Sequence, residues 1–316
     1  MYAPRVSGFP GWDNLFSVHV EATDRTRLKW VLALTLTYTA AEIAGGIASN
    51  SLALLADAGH MATDDVALGL AVLAGWFARR PPDRGRTFGY QRAEILAALT
   101  NGVLLVVVCG FIFWEAVHRL KEPPQVSTGL MAGVAAGGLV VNLIAAAILR
   151  GHTHGLNARA AFLHIMGDLL GSVGTLVAAG LIALFGWRMA DPLVSIFIGA
   201  IIVVSSARLV LDSVHVLMEG TPTHLDPEEI GRSLSGLRGV AGVHDLHLWS
   251  LGGSAPLLTA HLVVDLTVKA HDVLRSATLE LKSRYGIEHV TLQIEPPDFN
   301  IEGIGTRAVD SRRASP

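Results

Sequence analysis

Long apolar runs dominate the first two thirds of the chain, over 28–48, 52–78, 93–118, 127–149, 160–185 and 192–212. A helix rising about 1.5 Å per residue needs roughly 20 apolar residues to cross a bilayer, so each run predicts a spanning helix. From about residue 220 the texture changes to alternation, which predicts a water-soluble domain. "LDPEEIGRSLSGLRG" reads as a helix with Asp226 as N-cap, Pro227 in its first turn, and Glu228 and Glu229 at the positive end of the dipole. "VHDLHLWSL" and "PLLTAHLVVDL" read as strands, "AHDVLRSATLELKSRYG" as a helix stopped at Gly286, and "HVTLQIE" as a last strand. The predicted order is αββαβ, with helices covering one face of a small sheet. In the last strand Val290, Leu292 and Ile294 then face the helices, while His289, Thr291, Gln293 and Glu295 face away.

The chain of 316 residues is 51% hydrophobic and 16% charged, which is the composition of an integral membrane protein. A net charge of −3 gives no basic field, so no nucleic acid is expected as partner. The one cysteine, Cys109, lies in an apolar run and supplies neither a disulfide framework nor a thiolate cluster. No Walker A loop occurs for ATP, and residues 1–27 lack the pattern of a signal peptide. Arg79, Arg80, Arg84, Arg86 and Arg92 crowd the second connection, and Arg150 and Arg159 flank the fourth; Arg119, Lys121 and Arg188 weigh less on the opposite side. The positive-inside rule places both termini in the cytoplasm.

Candidate chemistry sits inside the oily segment. "LADAGHMATDD" puts His60 and Asp64 four residues apart, so both point from one face of a helix. "FLHIMGDLLGS" repeats the spacing with His164 and Asp168 in the fifth run. Two imidazoles and two carboxylates match a tetrahedral zinc site, and one divalent ion neutralises two aspartates that would be costly alone in lipid. Nitrogen and oxygen donors without thiolate suit Zn²⁺, with Cd²⁺, Co²⁺ or Ni²⁺ as further candidates. Either pair alone reads equally as an internal hydrogen bond in a helix bundle. Asp57, three residues before His60, is a candidate support or approach to the site, and Asp65 is rotated about 100° away from Asp64.

"SLALLADAGHMATD", "RTFGYQRAEILAA" and "LHIMGDLLGSVG", followed by the αββαβ segment, resemble the cation diffusion facilitator family of metal-ion/proton antiporters over residues 28–297. The resemblance implies a homodimer in the lipid bilayer that exports Zn²⁺ by alternating access as protons return. The family's transport quartet falls on His60, Asp64, His164 and Asp168, in the version of the zinc-preferring branch. A further family site between spans two and three has no histidine here, in "RRPPDRGRTFGYQ". His152 and His154 on another cytoplasmic connection read as loose ion capture or as an ordinary solvated loop. In the cytoplasmic domain the resemblance carries metal binding onto His244, His261 and Glu295, with Gln293 where histidine is frequent. Strand alternation instead puts His247, not His244, on the polar face, and both stay open.

The expectation is therefore an all-α six-helix transmembrane domain over 28–212 and a ferredoxin-like α+β metal-binding and dimerisation domain over 213–297. A cytoplasmic tail over 1–27 precedes them and a disordered tail over 298–316 follows. Zn²⁺ would be the transported and a regulatory ion, in the inner membrane of a bacterium. Neither an intramembrane hydrolase nor a di-iron oxygenase is expected, since H-E-x-x-H and histidine-rich boxes are absent. The competing function is a metal sensor or scaffold that binds zinc without moving it.

Overall fold

The computed structural model describes residues 22–78, 80–149, 156–252 and 256–298, with the side chains of 22–32, 68, 71–72, 145, 148–149 and 156–165 outside the description. Long helices occupy every predicted apolar run: α1 (Ala22–Ser49), α2 (Leu52–Ala78), α3 (Arg92–Lys121), α4 (Thr128–Leu149), α5 (Leu156–Phe185) and α6 (Ala190–Leu217). Several extend past the apolar residues. The end of α3 carries Arg119 and Lys121, whose charges complement the negative end of its dipole. Among the described residues Arg92–Lys121, Met166–Phe185 and Ala190–Leu217 are long and apolar enough to cross a membrane. Phe111, Trp114, Leu184 and Phe197 are exposed on these helices, and so much bare apolar surface suits lipid as solvent.

The chain divides into two compact units, one containing Leu105–Val203 with the residues up to Asp65, the other Val66–Leu104 with those from Val204 on. In the first unit α4 packs on α1 and α5. The α1–α2 link is only Asn50 and Ser51. Asn50 ends α1 in the left-handed region at φ 58°, with its amide on Ile47 O and that of Ser51 on Gly46 O. The amides that open α2 are claimed by α6: Asp191, 1% exposed, accepts from Leu52 N at 2.8 Å, Ala53 N at 3.1 Å and Ser51 Oγ at 2.6 Å. Ser51 Oγ in turn accepts from Leu54 N, so the first turn of α2 leaves no orphan donor there.

The second unit contains the predicted αββαβ segment: α7 (Pro227–Ser235), β1 (Val240–Ser250), β2 (Pro256–Val264), α8 (Ala270–Tyr285) and β3 (His289–Glu295). Asp226 caps α7 through Glu228 N, as its sequence predicts, and Gly286 ends α8 at φ 68°. The sheet order is β1-β2-β3, antiparallel between β1 and β2 and parallel between β2 and β3, with α8 as the crossover. Ile230 and Leu234 of α7 and Val273, Ala277 and Leu281 of α8 pack with Leu258 and Leu262 of central β2. Val290, Leu292 and Ile294 of β3 join that core as predicted. Glu295 departs from the exposure its place suggests: it is 4% exposed because two histidines cover it.

Candidate metal centre

Asp191 and Ser51 hold the N-terminal end of α2, and two turns further His60 and Asp64 project from one face. His60 Nε2 lies 3.5 Å from Asp64 Oδ2 and 3.9 Å from Asp168 Oδ1 on α5. In a zinc tetrahedron with bonds of about 2.0–2.2 Å, neighbouring donor atoms stand about 3.4 Å apart. His60 thus has a carboxylate from its own helix and one from α5 at separations near that spacing. Thr63, between them in sequence, turns its hydroxyl back onto His60 O at 2.7 Å and stays out of the cluster. His164 lies on α5 one turn before Asp168, but its side chain is outside the described residues, as are His152 and His154 entirely.

Asp57 is 3% exposed and packs against α5. A β-carbon at Gly171 would stand 2.8 Å from its Oδ1, so the glycine makes room for this carboxyl. Asp65 turns away from the cluster and accepts from Thr39 Oγ1 of α1 at 3.1 Å, which ties α1 to α2.

The second cluster lies on the sheet. His244 pairs across the ladder with His261, and His261 with Gln293 of β3. Glu295 Oε2 lies 2.8 Å from His244 Nε2, and its Oε1 2.8 Å from His261 Nδ1. Gln293 Nε2 donates to Glu295 Oε1. Burial alone would raise the Glu295 pKa, but the bonds from His244 and Gln293 and the nearby imidazole charges hold it below the usual carboxylate range. Single donor atoms of His244, His261 and Glu295 lie within 4.8 Å of one another, a set that suits zinc.

The choice between His244 and His247 by simple alternation fails, because β1 is bulged between them. His244 opposes His261 while His247 opposes Thr259, so three steps on β1 match two on β2. Asp245 absorbs the extra residue in the left-handed region at φ 51°. Both histidines therefore face away from the helices. Only His244 meets His261 and Glu295; His247 Nε2 sits 3.1 Å from Asp245 in a mostly exposed position.

Several contributors escape a reading of the sequence. Glu42 of α1 is 1% exposed and accepts from the Tyr38 hydroxyl at 3.2 Å; its signal is a lone acid in an apolar run, with Tyr38 four residues before it. Asp191 acts on residues some 140 positions away, for which the sequence offers no sign. The bulge at Asp245 has no local signature either.

Residues 28–218 match the family of the cation efflux transmembrane domain, and residues 222–297 that of the cation efflux protein cytoplasmic domain. The chain is 42% identical over 288 residues to the cadmium, cobalt and zinc/H(+)-K(+) antiporter of Bacillus subtilis, covering 89% of this chain and 92% of that protein. It is 42% identical over 282 residues to the zinc transporter ZitB of Escherichia coli, covering 87% and 88%. It is also 42% identical over 270 residues to the metal cation efflux system protein CzcD of Cupriavidus metallidurans, covering 85% of each. The solved metal-bound C-terminal domain of the CzcD transporter is 35% identical where it matches, over 22% of this chain and 99% of that one; its TM-score of 0.22 carries nothing about fold.

Proposed function

The chain belongs to the cation efflux, or cation diffusion facilitator, family, and from that premise we propose that it exports Zn²⁺ across a membrane in exchange for protons, holding the ion between His60, Asp64, His164 and Asp168. The observation that carries this reading is the approach of His60 to Asp64 on its own helix and to Asp168 of α5 inside the apolar helices. Two ionised aspartates there call for a divalent cation, and nitrogen and oxygen donors favour Zn²⁺, Cd²⁺, Co²⁺ or Ni²⁺ over Mg²⁺ or Ca²⁺. The relatives' names carry zinc, cadmium and cobalt, in keeping with that donor set.

We read all of α1 to α6 as spans, with both termini cytoplasmic and the protein in a bacterial inner membrane. Imidazole and carboxylate bind metal only when deprotonated, so protons compete for the same atoms. Each pH unit at one ligand changes affinity by up to about tenfold. Alternation of α2 and α5 between inward and outward arrangements then releases zinc where protons reload the ligands. The αββαβ domain is read as the ferredoxin-like dimerisation domain of a homodimer, in which His244, His261 and Glu295 would hold a regulatory zinc ion.

The competing reading is a membrane-bound sensor that binds zinc on the sheet without transport, and the closeness of His244, His261 and Glu295 favours it. Liposomes with a zinc dye inside and a pH step across the membrane separate the two. Zinc uptake in step with proton flux by the native chain, lost in Asp168→Ala, is the expected result. Zinc bound by both proteins and moved by neither would leave the sensor reading standing.

A further inference from the structure

The link between α2 and α3 carries a cluster of aromatic and basic side chains that metal binding leaves unused. Trp76 and Phe77 near the end of α2 are 58% and 38% exposed, with ring centroids 5.1 Å apart. The Arg80 guanidinium lies over both, 4.4 Å from the Trp76 ring and 4.6 Å from the Phe77 ring. Phe77 continues the row to Tyr90, at 6.5 Å, and the Arg86 guanidinium lies over that last ring at 4.8 Å. The link is itself a fixed turn. Asp83 Oδ1 accepts from Gly85 N at 2.7 Å and Arg86 N at 2.8 Å, and its Oδ2 accepts from the Tyr90 hydroxyl at 2.7 Å. Arg84 stands exposed at the tip of that turn.

We propose that Arg80, Arg84 and Arg86 form a binding surface for the phosphate groups of anionic phospholipids in the cytoplasmic leaflet. The proposal rests on the reading of α2 as a span with a cytoplasmic link to α3, and is independent of the ion transported.

Position and charge select that occupant. The link directly precedes Arg92–Lys121, which is long and apolar enough to cross a bilayer, so it lies where headgroups begin. An exposed tryptophan at the end of an apolar helix favours the same interfacial level. Residues 80–91 hold three arginines against one aspartate, a net charge of +2. Among the described residues no carboxylate forms an ion pair with Arg80, Arg84 or Arg86, whereas the next arginine, Arg92, is paired with Glu219 at 3.0 Å. Arg86 gives one N–H to the Tyr90 hydroxyl at 3.5 Å and keeps the others. A guanidinium stacked on rings holds its edge N–H groups as a planar fork, which suits the oxygens of a phosphate. The rings fix the cation before the lipid arrives, so little side-chain freedom is lost on binding. A bound headgroup then anchors the end of α2, the helix that carries His60 and Asp64.

The test uses the full chain in neutral detergent, with phosphatidylglycerol and phosphatidylcholine as probes and bound lipid counted by native mass spectrometry. The native chain should retain phosphatidylglycerol in preference to phosphatidylcholine. Arg80→Gln and Arg86→Gln should each weaken that retention by about fivefold, while Arg188→Gln, on the exposed α5–α6 connection, should leave it unchanged. Arg80→Lys keeps the charge but loses the planar stack, so it should fall with Arg80→Gln rather than with the native chain. Unchanged melting of the lipid-free variants separates lost binding from lost folding. A native-like Arg80→Lys, or equal losses in Arg188→Gln and Arg80→Gln, would overturn the proposal, because charge alone would then explain the binding. Displacement of the lipid by millimolar inorganic phosphate would overturn it too, making the cluster a site for a soluble anion. Failure of the transport-site reading has another signature: Asp168→Ala that still moves zinc, with these lipid counts unaffected.

Discussion

Imidazole and carboxylate build both candidate metal clusters, on scaffolds that differ. His60 stands 3.5 Å from Asp64 within α2 and 3.9 Å from Asp168 across to α5, whereas on the sheet Glu295 lies 2.8 Å from each of two histidines. Helices are internally hydrogen-bonded and meet only through side chains, so donors on two helices shift when the helices do. Strands are tied directly to one another, so ladder register fixes His244, His261 and Gln293 side by side. The first arrangement suits a site that must open, the second a site that must stay.

The largest effect should divide the clusters functionally. His60→Ala is expected to lower zinc flux in liposomes by at least about 100-fold, as losing a ligand exceeds the usual cost of losing its support. His261→Ala should keep flux within about tenfold while losing zinc bound to the sheet. Equal loss in both would erase the distinction. Deleting Asp245 removes the bulge and is expected to weaken zinc binding on the sheet by about 10- to 100-fold, read by calorimetry with the quartet already inactivated.

Smaller effects probe the scaffolds. Asp191→Ala should cost about 1–2 kcal/mol, visible as a lower melting temperature in detergent, because the opening amides of α2 lose their acceptor. Gly286→Ala should cost about 1 kcal/mol through its left-handed backbone, on melting of the sheet domain. The smallest concerns pH in metal-free protein. The Glu295 pKa is lowered on folding, so its contribution is fully present above the unfolded carboxylate pKa of about 4.3 and is lost as pH falls through the lower folded value. Glu295→Gln should flatten acid unfolding in that window; an unchanged profile would count against the histidine bonds as its cause.

Much of the fold was legible because its signals are local. Apolar runs set the long helices, Asp226 and Gly286 set the ends of α7 and α8, and period-two alternation set the inward face of β3. His60 and Asp64 were legible for the same reason, since helical spacing alone puts them on one face. The sheet cluster was only half legible. Alternation assumes an unbroken ladder, and one bulged residue at Asp245 reverses it.

By itself the sequence determined which segments are helix or strand, that lipid is the solvent of the first, and which residue types could bind a metal. Those follow from periodicity and from the cost of burying polar groups, both properties of short stretches. Tertiary structure alone decided that Asp168 of α5 meets His60 of α2, that Asp191 caps a helix far away in sequence, and that His244 rather than His247 joins Glu295. Each is a meeting between distant residues, set by helix packing or ladder register, and no local pattern encodes which partner waits across the gap.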